Sequence, residues 1–190
     1  MRYKAGDVFR QLTVTTSKGA PVTIPVAGAN YTHLQFRRFS GCPICNTHIA
    51  EFRRSIAQLE AAGIHEVLFF HSSQEDVAAF HNHLPFDAVG DREKQYYSQF
   101  GVESSWKVVS AAAVRAALTS IWRGNFRLKI TGGPLGLPAE FLLAPDGRIK
   151  AAHYGRHAYD QWSVQTLLDL ARDSRSVVSD AAKSINRSAR

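Results

Sequence analysis

Along "RQLTVTTSKGAPVTIPV" (residues 10–26), Val, Thr and Ile form two short runs on either side of "SKGAP". Two β-rich runs around turn residues predict a β-hairpin. In "YTHLQFRRF", Leu34 and Phe36 alternate with polar neighbours, which predicts a strand. The period then changes. Ile49, Phe52, Ile56 and Leu59 recur at helical spacing, and Gly63 suits the end of that helix. "HEVLFFH" reads as a buried strand, and "SQEDVAAFHNHL" reads as a helix capped by Ser73. "FDAVG" is a short strand candidate, followed by a helix over "DREKQYYSQFGV" that Gly101 ends. "WKVVSAAAVRAALTSIW" is helical by propensity, and "RGNFRLKITGGPLGLP" is a basic loop broken by glycines. "AEFLLA" and "RIKAAHY", joined through Asp146-Gly147, form a closing hairpin. "DQWSVQTLLDLAR" is a helix with Trp162, Val164, Leu167, Leu168 and Leu170 mostly on one side. Strands alternating with helices and a terminal hairpin predict an α/β fold with a mixed sheet.

The chain has 190 residues, which suits one domain, and no repeat or linker divides it. The expected organisation is a single domain over 1–190. Its core runs from about residue 6 to residue 171, with a divergent insertion at 104–137 and a polar tail at 174–190. Apolar runs are too short to cross a bilayer, so no membrane association is expected. "MRYKAGDVFRQL" has no apolar stretch behind its basic residues, so no secretory signal is expected. Net charge is +7 with a pI near 9.7. The basic residues are scattered, with no run of five and no interleaved aromatic motif, so no nucleic-acid partner is expected. Two cysteines do not make a disulfide framework, and a thiol-reducing, cytoplasmic location follows as the expectation.

Those two cysteines, Cys42 and Cys45, lie three apart in "GCPIC" where the strand passes into the helix. Cys42 falls at the helix N-terminus, where unsatisfied N–H groups and the helix dipole favour thiolate over thiol. Pro43 fits the first helical turn, where its missing N–H costs nothing. Cys45, one turn on, is within reach of a disulfide with Cys42. Strand alternation lets at most one of Arg37 and Arg38 face the thiol. A metal centre needs more ligands; His48 lies three residues beyond Cys45, and His153 with His157 would complete a Cys2His2 zinc set, but that histidine pair lies over a hundred residues from the cysteines, so no metal is expected. "HNH" at 81–83 is expected to face solvent, whereas His71 follows a strand near the edge where sites on such sheets form. The three tryptophans are expected in the core, although Trp106 and Trp122 fall in the divergent segment.

"GCPIC" at a strand-to-helix junction resembles the active site of thioredoxin-fold oxidoreductases. The wider layout resembles the peroxiredoxin (alkyl hydroperoxide reductase/thiol-specific antioxidant) superfamily. "AGDVFRQLTVTTSKGAPVTI", "LPFDAVGDREKQYYSQFGV" and "LPAEFLLAPDGRIKAAHYGRH" are similar to that family's N-terminal hairpin, Pro-Phe segment and closing hairpin. The resemblance implies a thioredoxin-like, peroxiredoxin-type three-layer sandwich with a mixed central sheet. It implies a thiol-disulfide oxidoreductase with antioxidant activity, Cys42 the nucleophile and Cys45 the resolving residue, and no cofactor. It implies a cis Leu137–Pro138 bond beside the cysteines, leaving backbone groups free for substrate. The implied partners are a protein or low-molecular-weight thiol or disulfide, or a hydroperoxide, with a thioredoxin- or glutathione-like electron donor and a homodimer as the candidate assembly. The chain departs from peroxiredoxins proper in one respect. The family's Pro-x3-Thr-x2-Cys motif is missing: Phe39 stands three before Cys42 and Gln35 seven before, and "AEF" after Pro138 lacks the family's Arg. Arg123 or Arg127 would have to substitute. The alternatives are a thiol-dependent peroxidase, and a non-catalytic or zinc-holding binding module.

Overall fold

The computed structural model describes residues 2–102 and 136–173. The first hairpin pairs β1 (Leu12–Thr15) with β2 (Pro21–Ile24) antiparallel, Leu12 opposite Ile24. The central sheet contains β3 (Tyr31–Arg37), β4 (Ile64–Phe70), β5 (Asp87–Gly90), β6 (Ala139–Leu143) and β7 (Ile149–Tyr154). Its order is β5–β4–β3–β6–β7. β3, β4 and β5 run parallel, whereas β6 and β7 pair antiparallel. The mixed sheet and both hairpins match the pattern read from the sequence.

The expected long helix is two helices, α1 (Pro43–Arg54) and α2 (Ile56–Ala61), interrupted at Ser55. Gly63 follows α2 at φ +70°, the left-handed turn for which glycine is suited, and a Cβ there would run into the Asn30 side chain. α3 (Gln74–His81) starts as predicted: the Ser73 hydroxyl accepts from the Asp76 N–H at 3.2 Å. Replacing Ser73 by alanine is expected to cost about 1 kcal/mol in urea unfolding, because one helix N–H loses its acceptor. α4 (Gln95–Gln99) is shorter than its sequence pattern suggests. The Asp91 carboxylate, four residues before it, accepts from the N–H groups of Gln95, Tyr96 and Tyr97. A final helix, α5, spans 164–173. The predicted insertion lies almost wholly outside the described residues, as do Trp106, Trp122, Arg123, Arg127 and the tail.

The sheet divides two apolar cores, giving three layers. On one face Tyr31, Leu68, Phe70 and Leu142 pack under Ile49 and Phe52 of α1, Leu59 of α2, Val77 of α3, and Val164, Leu167 and Leu168 of α5. On the other, Leu34, Phe36, Phe69 and Phe141 pack against Val14 and Ile24 of the hairpin and against Tyr97 and Phe100. Every residue of β3 is buried. The polar positions that alternate with Leu34 and Phe36 therefore do not reach water; they face α1. No helix among the described residues is long and apolar enough to cross a membrane.

Candidate redox site

The cysteines sit where β3 delivers the chain into α1. Residues 38–42 connect the two and are pinned from the side. The His71 N–H donates to the Arg38 carbonyl at 2.7 Å, and the Ser40 N–H donates to the Ser72 hydroxyl at 3.1 Å. His81 Nε2 donates to the Ser40 carbonyl at 3.0 Å, and its ring stacks on Phe70. His81 is thus buried, contrary to the expectation that "HNH" faces solvent; only Asn82 and His83 of that trio are exposed. Burial, chiefly, lowers its pKa to about 4, so it stays neutral and holds the loop as a donor to a carbonyl.

Cys42 occupies the N-cap of α1 in extended conformation, with Pro43 in the first turn. Its pKa falls from the ordinary 9.0 to about 6. The largest cause is a hydrogen bond from the Cys45 thiol; the Cys45 N–H, the Arg38 charge and the Ile44 N–H add to it, and burial opposes them. Arg38 Nη1 lies 3.9 Å from Cys42 Sγ. Cys45 is its opposite: the hydrogen bond it gives Cys42, its burial and the adjacent anion raise its pKa well above the ordinary value. One sulfur is therefore an anion at neutral pH while its neighbour keeps its proton. Replacing Cys45 by alanine is expected to raise the Cys42 pKa, and replacing it by serine, which still donates, to raise it much less; the pH dependence of thiolate absorbance checks both.

Arg38 and Arg37 divide as the alternation predicted, with one of them at the Cys42 sulfur. Arg38 stands by Cys42, and Arg37 lies on the α1 face of the sheet, fully buried. The Arg37 guanidinium donates to the Gln35 side-chain carbonyl, to His48 Nδ1 at 3.0 Å and to Glu140 at 3.3 Å. Because arginine only donates, His48 Nδ1 accepts and Nε2 carries the proton, which goes to the Trp162 carbonyl at 2.8 Å. Glu140 in turn accepts the Trp162 N–H. Burial and the Arg37 charge hold His48 near pKa 3, hence neutral. Gln35 continues the network to Glu66, which also pairs with His33 at 2.8 Å. Both His48 nitrogens are spent, and His153 pairs with Asp160 at 2.9 Å. Among the described residues no group of three His, Cys, Asp or Glu side chains is placed to hold a metal.

The cis bond expected at Leu137–Pro138 is not there. Among the described residues the cis bond lies at Ile24–Pro25. Pro138 is buried against Gly155, whose N–H donates to the Pro138 carbonyl at 2.9 Å. A Cβ on Gly155 would lie 2.7 Å from the proline ring. The Pro138 carbonyl is thus occupied by the residue that follows β7. Sequence reading missed Ser40, Ser72 and His81 as supports of the loop, and missed the network around Arg37.

Residues 5–152 match the model of the AhpC/TSA family. The chain belongs to the AhpC/TSA family. With the paired cysteines at its strand-to-helix junction, this AhpC/TSA member is an oxidoreductase acting on thiols. Its fold is similar to solved structures at low identity. The peroxidoxin BcpB from Mycobacterium tuberculosis matches with a TM-score of 0.67 and 14% identity, over 90% of this chain and 97% of that one. A peroxiredoxin 6 from Arenicola marina matches with a TM-score of 0.67 and 14% identity, over 93% and 75%. A Chlorobium tepidum protein assigned as the thiol:disulfide interchange protein DsbE matches with a TM-score of 0.58 and 17% identity, over 90% and 99%. Among curated protein sequences, none is significantly similar to this chain. The AhpC/TSA fold thus accounts for the layers, and the cysteine pair for the chemistry.

Proposed function

We propose that the protein exchanges dithiols for disulfides, with Cys42 as nucleophile and Cys45 as resolving residue. The observation that carries this reading is the hydrogen bond from the Cys45 thiol to a Cys42 sulfur held near pKa 6. The Cys42 thiolate attacks one sulfur of a substrate disulfide, forming a mixed disulfide and releasing one substrate thiolate. Cys45 then loses its proton and attacks Cys42 Sγ; the Cys42–substrate bond breaks and its electron pair leaves on the second substrate sulfur. Two thiols of the protein are oxidised and one substrate disulfide is reduced. The reverse direction runs through the same intermediates. A low-molecular-weight thiol or a thioredoxin-like protein returns the electrons, and the cytoplasm is the compartment that supports such a donor. Titration against thiol–disulfide buffers, read by mass spectrometry, should show one two-electron couple linking Cys42 to Cys45; two independently oxidised sulfurs would refute the reading.

A specific observation favours a second substrate. Cys42 is only 1% exposed, so a small hydroperoxide reaches it more readily than a folded protein does. Attack on the peroxide would give a Cys42 sulfenic acid and an alcohol, and Cys45 would displace water from it to close the disulfide. Stopped-flow oxidation of the reduced protein decides this: a rate no faster than that of a free thiol removes peroxide from the substrates.

A further inference from the structure

Closing the Cys42–Cys45 disulfide requires a transient anion on Cys45, a sulfur that is as buried as Cys42. Burial alone makes that anion costly. The structure places a positive charge beneath the same helix turn. Arg37 projects from the last position of β3 toward α1, and its guanidinium bonds His48, one turn beyond Cys45. Its side chain is fully buried, and its Nε and Nη1 groups have no hydrogen-bond partner. Glu140 offsets part of its charge from β6 at 3.3 Å. A buried guanidinium with unspent donors, bonded to the helix one turn beyond a sulfur that must ionise, is more than a structural ion pair needs.

We propose that Arg37, held in orientation by Gln35, His48 and Glu140, is a positioning residue whose charge offsets the Cys45 thiolate while Cys45 displaces the substrate from Cys42. The proposal rests on the exchange reading above. In the step concerned, the Cys45 S–H proton passes to the departing substrate sulfur, the Cys42–Cys45 bond forms, and the Cys42–substrate bond breaks. The order of events follows from the same charges. While Cys42 is an anion it keeps the Cys45 proton in place. Once Cys42 is capped in a mixed disulfide, that anion is gone, and the Arg37 charge remains, with the Arg38 backbone hydrogen bond, to favour the Cys45 thiolate. The other titratable or charged groups around this end of the sheet are His33 on β3, Glu66 on β4, Glu140 on β6, His48 on α1, Arg38 in the connecting loop, His71 after β4 and Tyr97 on α4. His48 is neutral, and Tyr97 keeps its proton, donating to the Arg37 and Phe69 carbonyls.

Methyl methanethiosulfonate is the probe, because it caps Cys42 with a small group. Rapid quench and mass spectrometry then resolve two steps in the full-length reduced protein, capping of Cys42 and loss of methanethiol as the disulfide closes. The variants are Arg37→Lys, which keeps the charge, and Arg37→Gln with Glu140→Gln, which removes both charges together. The expected result is that the neutral pair slows closure by roughly tenfold or more at neutral pH, and moves its pH midpoint upward. Capping keeps its rate and its midpoint, and Arg37→Lys retains most of the closure rate. Equal slowing of both steps, or closure with an unchanged pH profile, overturns the proposal. If the glutamine pair does not fold, Arg37→Met with Glu140→Leu, which also removes both charges, carries the same test: slowed closure with unchanged capping is expected, and closure at the wild-type rate and pH midpoint overturns the proposal. A wild-type protein that is capped but never releases methanethiol defeats the exchange reading itself, and the proposal with it.

Discussion

Replacing Cys42 by serine will abolish turnover, whereas replacing Cys45 by serine will preserve one attack and arrest the protein as a mixed disulfide. Intact-mass spectrometry after mixing with a small disulfide distinguishes the two. The size of the effect comes from position more than from pKa. At pH 7, a thiol with a pKa of about 6 is roughly nine-tenths thiolate, against about one-hundredth for the ordinary 9.0. That is a gain of about ninetyfold in attacking species. Intrinsic nucleophilicity falls with pKa, however, by about 15–30-fold over such a shift, so the net gain in attack is only about 3–6-fold. The larger consequence is on the leaving side. A stabilised Cys42 thiolate leaves a mixed disulfide easily and favours the reduced protein, so the couple should lie toward the oxidising end. Serine at 42 removes both capacities. Retention of exchange by Cys42→Ser together with its loss in Cys45→Ser would reverse the assigned roles.

Replacing Glu140 by leucine should cost about 3–5 kcal/mol of stability, because it leaves the Arg37 charge buried without its carboxylate. Glu140 and Arg37 are both fully buried, and no solvent is available to take up the imbalance. The same substitution also strips the Trp162 N–H of its acceptor, loosening the entry to α5. A companion variant identifies the cause. Arg37→Met with Glu140→Leu removes both charges and should recover a substantial part of the loss, since an apolar replacement of a buried pair is far less costly than half of one. Urea unfolding with an unchanged slope measures both. A loss under about 1 kcal/mol for Glu140→Leu alone would mean that water reaches the pair.

The order of strands and helices was legible because each element carries its own period: two in the hairpins, 3.6 at Ile49 and Phe52. So were the caps at Ser73 and Gly63, which depend on nearest neighbours in the chain. The polar half of β3 was not. His33, Gln35 and Arg37 alternate with Leu34 and Phe36 as in a strand with one wet face. Nothing local states that Glu66, Glu140 and His48 will arrive to cover them. The signal that could have been used is a lone glutamate set against an apolar run in each of two strands, "EVLFF" and "AEFLL". A carboxylate in a buried strand needs a partner, and the polar positions of β3 are the ones within reach. His81 was misplaced for a related reason, since the residues that follow it, Asn82 and His83, are polar and its partner, the Ser40 carbonyl, is 41 positions away. The cysteine pair was legible because proline, helix start and spacing coincide in five residues. The cis bond at Pro138 came from resemblance alone, and the close packing of Gly155 on that proline was not visible in it.

The ultraviolet absorbance of the thiolate, followed with pH in the reduced protein and corrected with Cys42→Ser, tests the central claim without requiring any reagent to enter the site. A single thiolate appearing with a midpoint near pH 6, rising as pH increases and absent from Cys42→Ser, is the predicted result. A midpoint near the ordinary 9.0, or a curve unchanged by Cys42→Ser, would contradict it.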